Sequence, residues 1–163
     1  MFIAHLPAGY VMARGLLRCG GAVRGVMPAC LVGALLPDMD LFWCYLVDKG
    51  QFHHHGYVTH WPVLWVGLLL GAALWYVLRK SSAAVVVLAL SGSALLHVLL
   101  DGVVGDVQLF APWSREYYAL ATVPAVYRPW WLNFFLHWSM LLELLICAWA
   151  FRLFRSRKKM NER

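Results

Sequence analysis

Three stretches of this chain are apolar over nearly the length of a bilayer crossing: WPVLWVGLLLGAALWYVL at 61–78, AAVVVLALSGSALLHVLL at 83–100 and WLNFFLHWSMLLELLICAWAF at 131–151. A hydrocarbon core about 30 Å thick takes roughly 20 residues of helix to cross. Inside it, backbone N–H and C=O groups must be satisfied by the protein itself. These runs therefore demand helices. Composition agrees, at 62% hydrophobic and 13% charged with mean hydropathy +0.65, against roughly 25% charged residues in soluble domains.

Two shorter apolar segments precede them, at about 6–18 and 22–36, with a turn at Gly20-Gly21. Both are short for full spans, which predicts a shallow or tilted hairpin packed on the longer helices. The expected fold is all-α: a polytopic membrane bundle of about five helices, a short N-terminal hairpin plus three longer spans. Residues 1–155 form one domain and 156–163 a basic tail. No positive stretch precedes the first apolar segment, so a cleaved signal peptide is not expected. Residues 102–130, rich in Gly, Pro and aromatics, read as a re-entrant or interfacial loop.

Charge sets a topology. Eleven of the fourteen basic residues fall at one set of helix ends: Arg14, Arg18, Arg24, Arg79, Lys80, Arg152, Arg155, Arg157, Lys158, Lys159 and Arg163. The positive-inside rule puts these ends, and the C-terminus, in the cytoplasm. The net charge of +6 is thereby explained by topology, and no nucleic-acid partner is expected. The four cysteines form no CxxC pair, which excludes zinc-thiolate and thioredoxin-like motifs. Asp38, Asp40, Asp48, Asp101, Asp106 and Glu116 lie at the opposite, outer ends.

Candidate metal ligands gather at that same outer face. His5 opens the first segment, and LLPDMDLF places Asp38 and Asp40 after the second. HHHGYVTH runs from His53 to His60, and HVLLD sets His97 and Asp101 four apart. That spacing projects both side chains from one helical face. Mixed His/Asp sets suit zinc, manganese or iron, and one or two ions are expected here. In the last run Asn133 and His137 are four apart on an expected shared face, with Glu143 deeper.

GALLPDMD, HHHGYVTHWP and HVLLDGVVGDVQLFAPWS, in that order, resemble the membrane-bound metal-dependent hydrolase family, the group that includes LexA-regulated inner-membrane hydrolases. The resemblance extends from His5 to Ser114. It implies a bacterial inner (plasma) membrane location, a hydrolase activity, and His5, Asp38, Asp40, His55, His60, His97 and Asp101 at ligand positions. One departure stands out: Gly56-Tyr57 replaces the family's frequent Arg-Gly, and Arg115 is the candidate to supply the missing guanidinium.

The expected function is hydrolysis of a phosphoester on a phospholipid or other lipid-linked phosphate, by metal-activated water at the outer interface of the bilayer. Asp40, His60 and Arg115 are the candidate catalytic residues, Arg115 as the grip on phosphate. His54, Ser114, Asn133 and His137 are candidates for outer support of the ligands. The alternatives are a metal transporter or sensor, which needs ligands staggered through the membrane, and a structural protein whose metal staples the bundle.

Overall fold

The computed structural model describes residues 3–19 and 23–161, the last five as backbone only. The expected Gly20-Gly21 turn lies outside the described residues, as do Arg163 and the side chains of Arg157, Lys158 and Lys159. The described residues fold into seven α-helices: α1 His5–Cys19, α2 Val26–Gly33, α3 Asp40–Leu46, α4 Pro62–Arg79, α5 Ser82–Asp101, α6 Trp131–Phe135 and α7 Ser139–Asn161. Short 3-10 turns lie at Pro37–Met39, His54–Gly56 and Val58–His60. Among the described residues the extended backbone pairs only at a bridge between Val107 and Tyr118. The all-α membrane class is as expected.

Among the described residues α4 and α5 are the two helices long and apolar enough to cross a membrane. Their connection is short because its chemistry is local. Lys80 ends α4 in the left-handed region at φ 50°, and the Ser81 hydroxyl caps α5 by accepting the Ala83 N–H at 3.2 Å. Only 11% of the α4 span is buried against 39% of the α5 span. α4 is thus a lipid-facing span, whereas α5 is the centre of the bundle.

α5 earns that place with small residues. Ala84, Ala89, Ser91, Ser93 and Ala94 are buried along it, letting neighbouring backbones approach closely. The Ser93 hydroxyl donates to the Cys30 carbonyl at 2.6 Å. At Gly33 a methyl group would collide with the Leu90 carbonyl, and at Gly9 it would lie 2.7 Å from Ala34 Cβ and 2.8 Å from the Cys30 oxygen. α1, α2 and α5 therefore form one tight layer, and α7 packs on α1.

Two expected segments differ in detail. The second does not run on to residue 36: α2 stops at Gly33, and the chain bends by 51° into Pro37–Leu46, a third span only if that bent pair is counted as one. Pro37 lacks the N–H needed to continue the helix. The last run, expected as one helix over 131–151, breaks at 136–138. His137 Nδ1 sits 3.0 Å from the Ser139 hydroxyl where α7 begins. The helical face expected to carry both Asn133 and His137 consequently does not form.

Candidate metal centre

Four side chains from three parts of the chain converge at the C-terminal end of α5. Ligand atoms of Asp38, His60, His97 and Asp101 all lie within 4.8 Å of one another. A second group, His54, His55 and His60, satisfies the same limit and shares His60 with the first. Asp101 is the hub. Its Oδ2 lies 3.0 Å from His97 Nε2, 3.7 Å from His60 Nε2 and 3.8 Å from His55 Nε2, and its Oδ1 lies 3.1 Å from His5 Nε2. Asp38 Oδ1 stands 3.5 Å from His97 Nε2 and 3.7 Å from His60 Nε2.

The histidines are aimed by bonds on their far sides. His97 Nδ1 is 2.7 Å from the Ala34 carbonyl and His55 Nδ1 3.0 Å from the Asp106 carbonyl. A carbonyl can only accept, so in both rings Nδ1 carries the proton. His60 Nδ1 donates to Asp40 Oδ2 at 2.6 Å, and the Thr59 hydroxyl donates to the same oxygen at 2.6 Å. All three rings then turn Nε2 inward. This is how proteins orient metal-ligating histidines.

A cation fits this set on its own chemistry. His60 and His97 are essentially inaccessible to solvent, yet Nε2 of each makes no hydrogen bond. Buried polar atoms are ordinarily satisfied. Here they face carboxylate oxygens out of hydrogen-bond alignment, as ligands sharing a positive ion would. The electrostatics differ from ring to ring. Burial disfavours a charged His60, but contacts with Asp101, Asp38 and Asp40 outweigh it and push the ring up to about 10. At His55 burial wins over the attraction of Asp101 and pulls the ring down to about 3.

Of the residues singled out from sequence, His55, His60, His97, Asp38 and Asp101 come together, and His5 touches the hub. The His5 and His97 rings stack with centroids 3.8 Å apart. Asp40 stands behind His60 rather than among the converging atoms. Asn133 is spent on its own turn: it accepts from the N–H groups of Val126 and Tyr127 and donates to the carbonyls of Tyr127 and Trp130. His137 belongs to the start of α7. The Ser114 hydroxyl accepts the Glu116 N–H at 3.2 Å. Glu143, buried on α7, accepts from the backbone of Ile3 at 2.6 Å and Ala4 at 3.2 Å, fixing the chain immediately before His5.

Residues 1–160 match the family model of the YdjM inner membrane protein. The chain belongs to the YdjM inner membrane protein family. Neither the curated proteins nor the solved structures gave a match.

In this YdjM-family chain the centre opens into a cleft of about 470 Å³. Asp38, His54, His55 and Asp101 supply its polar side, while Leu41, Tyr45, Trp130 and Phe134 supply an apolar wall. A neighbouring pocket of about 320 Å³ contains Arg115, with His53 lining both cavities. Arg115 is therefore not among the converging ligands. Sequence reasoning missed Gly105, where a methyl group would lie 2.7 Å from His55 Cε1 and 3.1 Å from the Asp101 carbonyl. The glycines of HVLLDGVVG were its one visible sign. It also missed Thr59 and the carbonyls of Ala34 and Asp106, and no side-chain pattern announces a carbonyl.

Proposed function

We propose that this inner-membrane protein is a metal-dependent hydrolase that cleaves a phosphoester on a lipid-linked substrate. The observation that carries the reading is the convergence of Asp38, His60, His97 and Asp101 within 4.8 Å, at the side of an open cleft. Asp38 keeps a third of its side chain exposed. A structural metal site is closed by protein ligands, whereas a catalytic one keeps an accessible side. Transport would call for ligands staggered along the membrane normal. Both candidate groups among the described residues instead share His60.

His60, His97, Asp101 and Asp38 would hold a divalent ion, zinc being the best match to the nitrogen and oxygen donors, with manganese or iron as alternatives. Such an ion, when bound, makes water a competent nucleophile near neutral pH and polarises a phosphoryl oxygen. The chain's own residues do the rest. Asp40 and Thr59 hold the His60 ring, Ala34 holds His97, and Asp106 holds His55. His54 lines the cleft and is the group placed to take up or hand on a proton. The wall of Leu41, Tyr45, Trp130 and Phe134 excludes water and suits the apolar end of an amphiphile.

On the positive-inside rule this cleft would lie on the periplasmic side and the C-terminus in the cytoplasm. Detergent-purified protein should carry about one or two divalent ions per chain by mass spectrometry. It should release phosphate or a phosphorylated head group from a panel of short-chain phospholipids and lipid-linked phosphates. Activity should vanish with a chelator and return with zinc or manganese. Stoichiometric metal with no hydrolysis across that panel would count against the enzyme and leave the metal as a structural staple.

A further inference from the structure

The pocket beside the metal cleft is built, not incidental. The Val107–Tyr118 bridge, with bonds of 3.0 and 2.9 Å, pins the two sides of the 102–130 loop together. Gln108, buried next to that bridge, donates to the Arg115 carbonyl at 3.0 Å and so fixes the backbone from which the guanidinium projects. The Trp61 indole is set by its bond to the Gly56 carbonyl at 3.1 Å. Gly56 leaves room for Tyr117 to reach in, since a methyl group there would lie 2.6 Å from the tyrosine hydroxyl and push it back.

The result is a chamber walled by Tyr57, Trp61 and Tyr117, with Arg115 at its edge. The neighbouring acids are engaged elsewhere: Glu116 takes the Tyr118 hydroxyl at 2.8 Å, and Asp48 takes that of Tyr57. Among the described residues Arg115 forms no ion pair. A guanidinium without a carboxylate, beside aromatic faces, matches an oxyanion carried on an organic body. His53 lines both this chamber and the metal cleft, and its ring lies 5.0 Å from His55 and 5.4 Å from Tyr117. The two cavities therefore adjoin at His53.

We propose that this pocket is a second anion-binding subsite, in which Arg115 takes a phosphate on the part of the substrate's head group beyond the bond that is cut. The proposal rests on the phosphoester reading and narrows it: the substrate carries two anionic groups, one at the metal and one at Arg115. A head group with a single phosphate and no second anion fills only half of the site.

The test is equilibrium dialysis of detergent-purified protein stripped of metal by a chelator, which separates this pocket from the metal centre. The probes are inorganic phosphate, glycerol 3-phosphate and dihexanoyl phosphatidic acid. The stripped wild-type protein should bind at least one of them. Arg115→Gln should weaken that binding by roughly tenfold or more, the loss expected of a charge-assisted pair. Arg115→Lys should recover part of it, keeping the charge without the fork. Unchanged metal content in Arg115→Gln shows that the variant folds. Preference for the lipid assigns the subsite to a lipid head group, and equal affinities assign it to the phosphate group alone. Absence of binding without metal, or binding that Arg115→Gln leaves intact, overturns the subsite while leaving the hydrolase reading standing. Loss of binding in Arg115→Gln together with no hydrolysis of any phosphoester would keep the anion site and sink the enzyme.

Discussion

α5 and the segment from His54 to His60 both deliver ligands to the same hub, yet they hold them by different means. On α5, His97 and Asp101 are one helical turn apart, and the helix is locked by buried small residues against α1 and α2. Their order is inherited from the bundle. The 54–60 segment consists of two 3-10 turns with no long helix to fix it. Its order is borrowed from outside through Asp40, the Asp106 carbonyl, Trp61 bonded to Gly56, and Trp65 bonded to the Thr59 carbonyl at 2.7 Å. A ligand on a rigid helix needs one aiming bond, whereas ligands on a loop need a scaffold of them.

The sharpest break in this comparison is removal of the hub. Asp101→Ala and His97→Ala should each reduce metal content per chain to near zero, with helical circular dichroism and monodispersity retained. Asp101 meets His5, His55, His60 and His97, so its loss should exceed that of His55→Ala. Should His55→Ala cost as much metal as Asp101→Ala, the loop and not α5 would be the primary holder.

Next in size is the scaffold of the loop. Asp40→Ala removes the acceptor of both the His60 ring and the Thr59 hydroxyl. Loss of such an outer partner typically costs roughly 10–100-fold in metal affinity, read here by competition with a chromophoric chelator. Asp40→Asn, which keeps an acceptor oxygen, should fall between Ala and wild type. An Asp40→Ala protein with wild-type affinity would mean that His60 is positioned by something else.

The same contrast explains what could be read from the sequence. HVLLD was legible because a four-residue spacing on an apolar helix has one geometric meaning. LPDMD and HHHGYVTH were legible as ligand-rich segments at the correct end of the bundle. Their division of labour was not, because Asp38 and Asp40 differ in role only through which ring each meets. Helices α4 and α5 followed from run length and hydropathy, within a residue of the expected limits. The break at 136–138 was hidden, since WLNFFLHWSMLLELL reads as one apolar run until Asn133 and His137 are seen bonding local backbone and side chain. Arg115 was expected beside the metal ligands, whereas the loop that carries it places it on the adjoining pocket.

A smaller effect is expected at Gly105, where the loop scaffold meets the end of α5. Gly105→Ala would place a methyl group 2.7 Å from the His55 ring. Overpacking of this kind costs about 1–3 kcal/mol. The ring can retreat only by lengthening its bond to the Asp106 carbonyl. Affinity should fall by less than in Asp40→Ala, because His55 stands 3.8 Å from Asp101 Oδ2 and His60 is untouched. If Gly105→Ala instead matched Asp40→Ala, His55 would rank with His60 rather than behind it.

The smallest effect tests a third mode of holding, in which α7 fixes the residues that lead into α1. Glu143 is 2% exposed and accepts the backbone N–H groups of Ile3 and Ala4, one residue short of His5. His5 in turn meets Asp101 Oδ1 at 3.1 Å and stacks on His97. Glu143→Ala should therefore loosen His5 and lower metal affinity by about threefold, a coupling within the usual range for residues sharing one network. His5→Ala should do the same. The decisive reading is the double variant. If Glu143 acts through His5, the two losses will not add, and the double variant will bind metal as each single one does. Additive losses would separate them, leaving Glu143 as a packing group of α7 and His5 as a ligand held by the hub alone. Thermal stability cannot make that distinction, since removal of a buried acceptor costs about 1–3 kcal/mol whatever His5 does; only the metal affinity of the pair can.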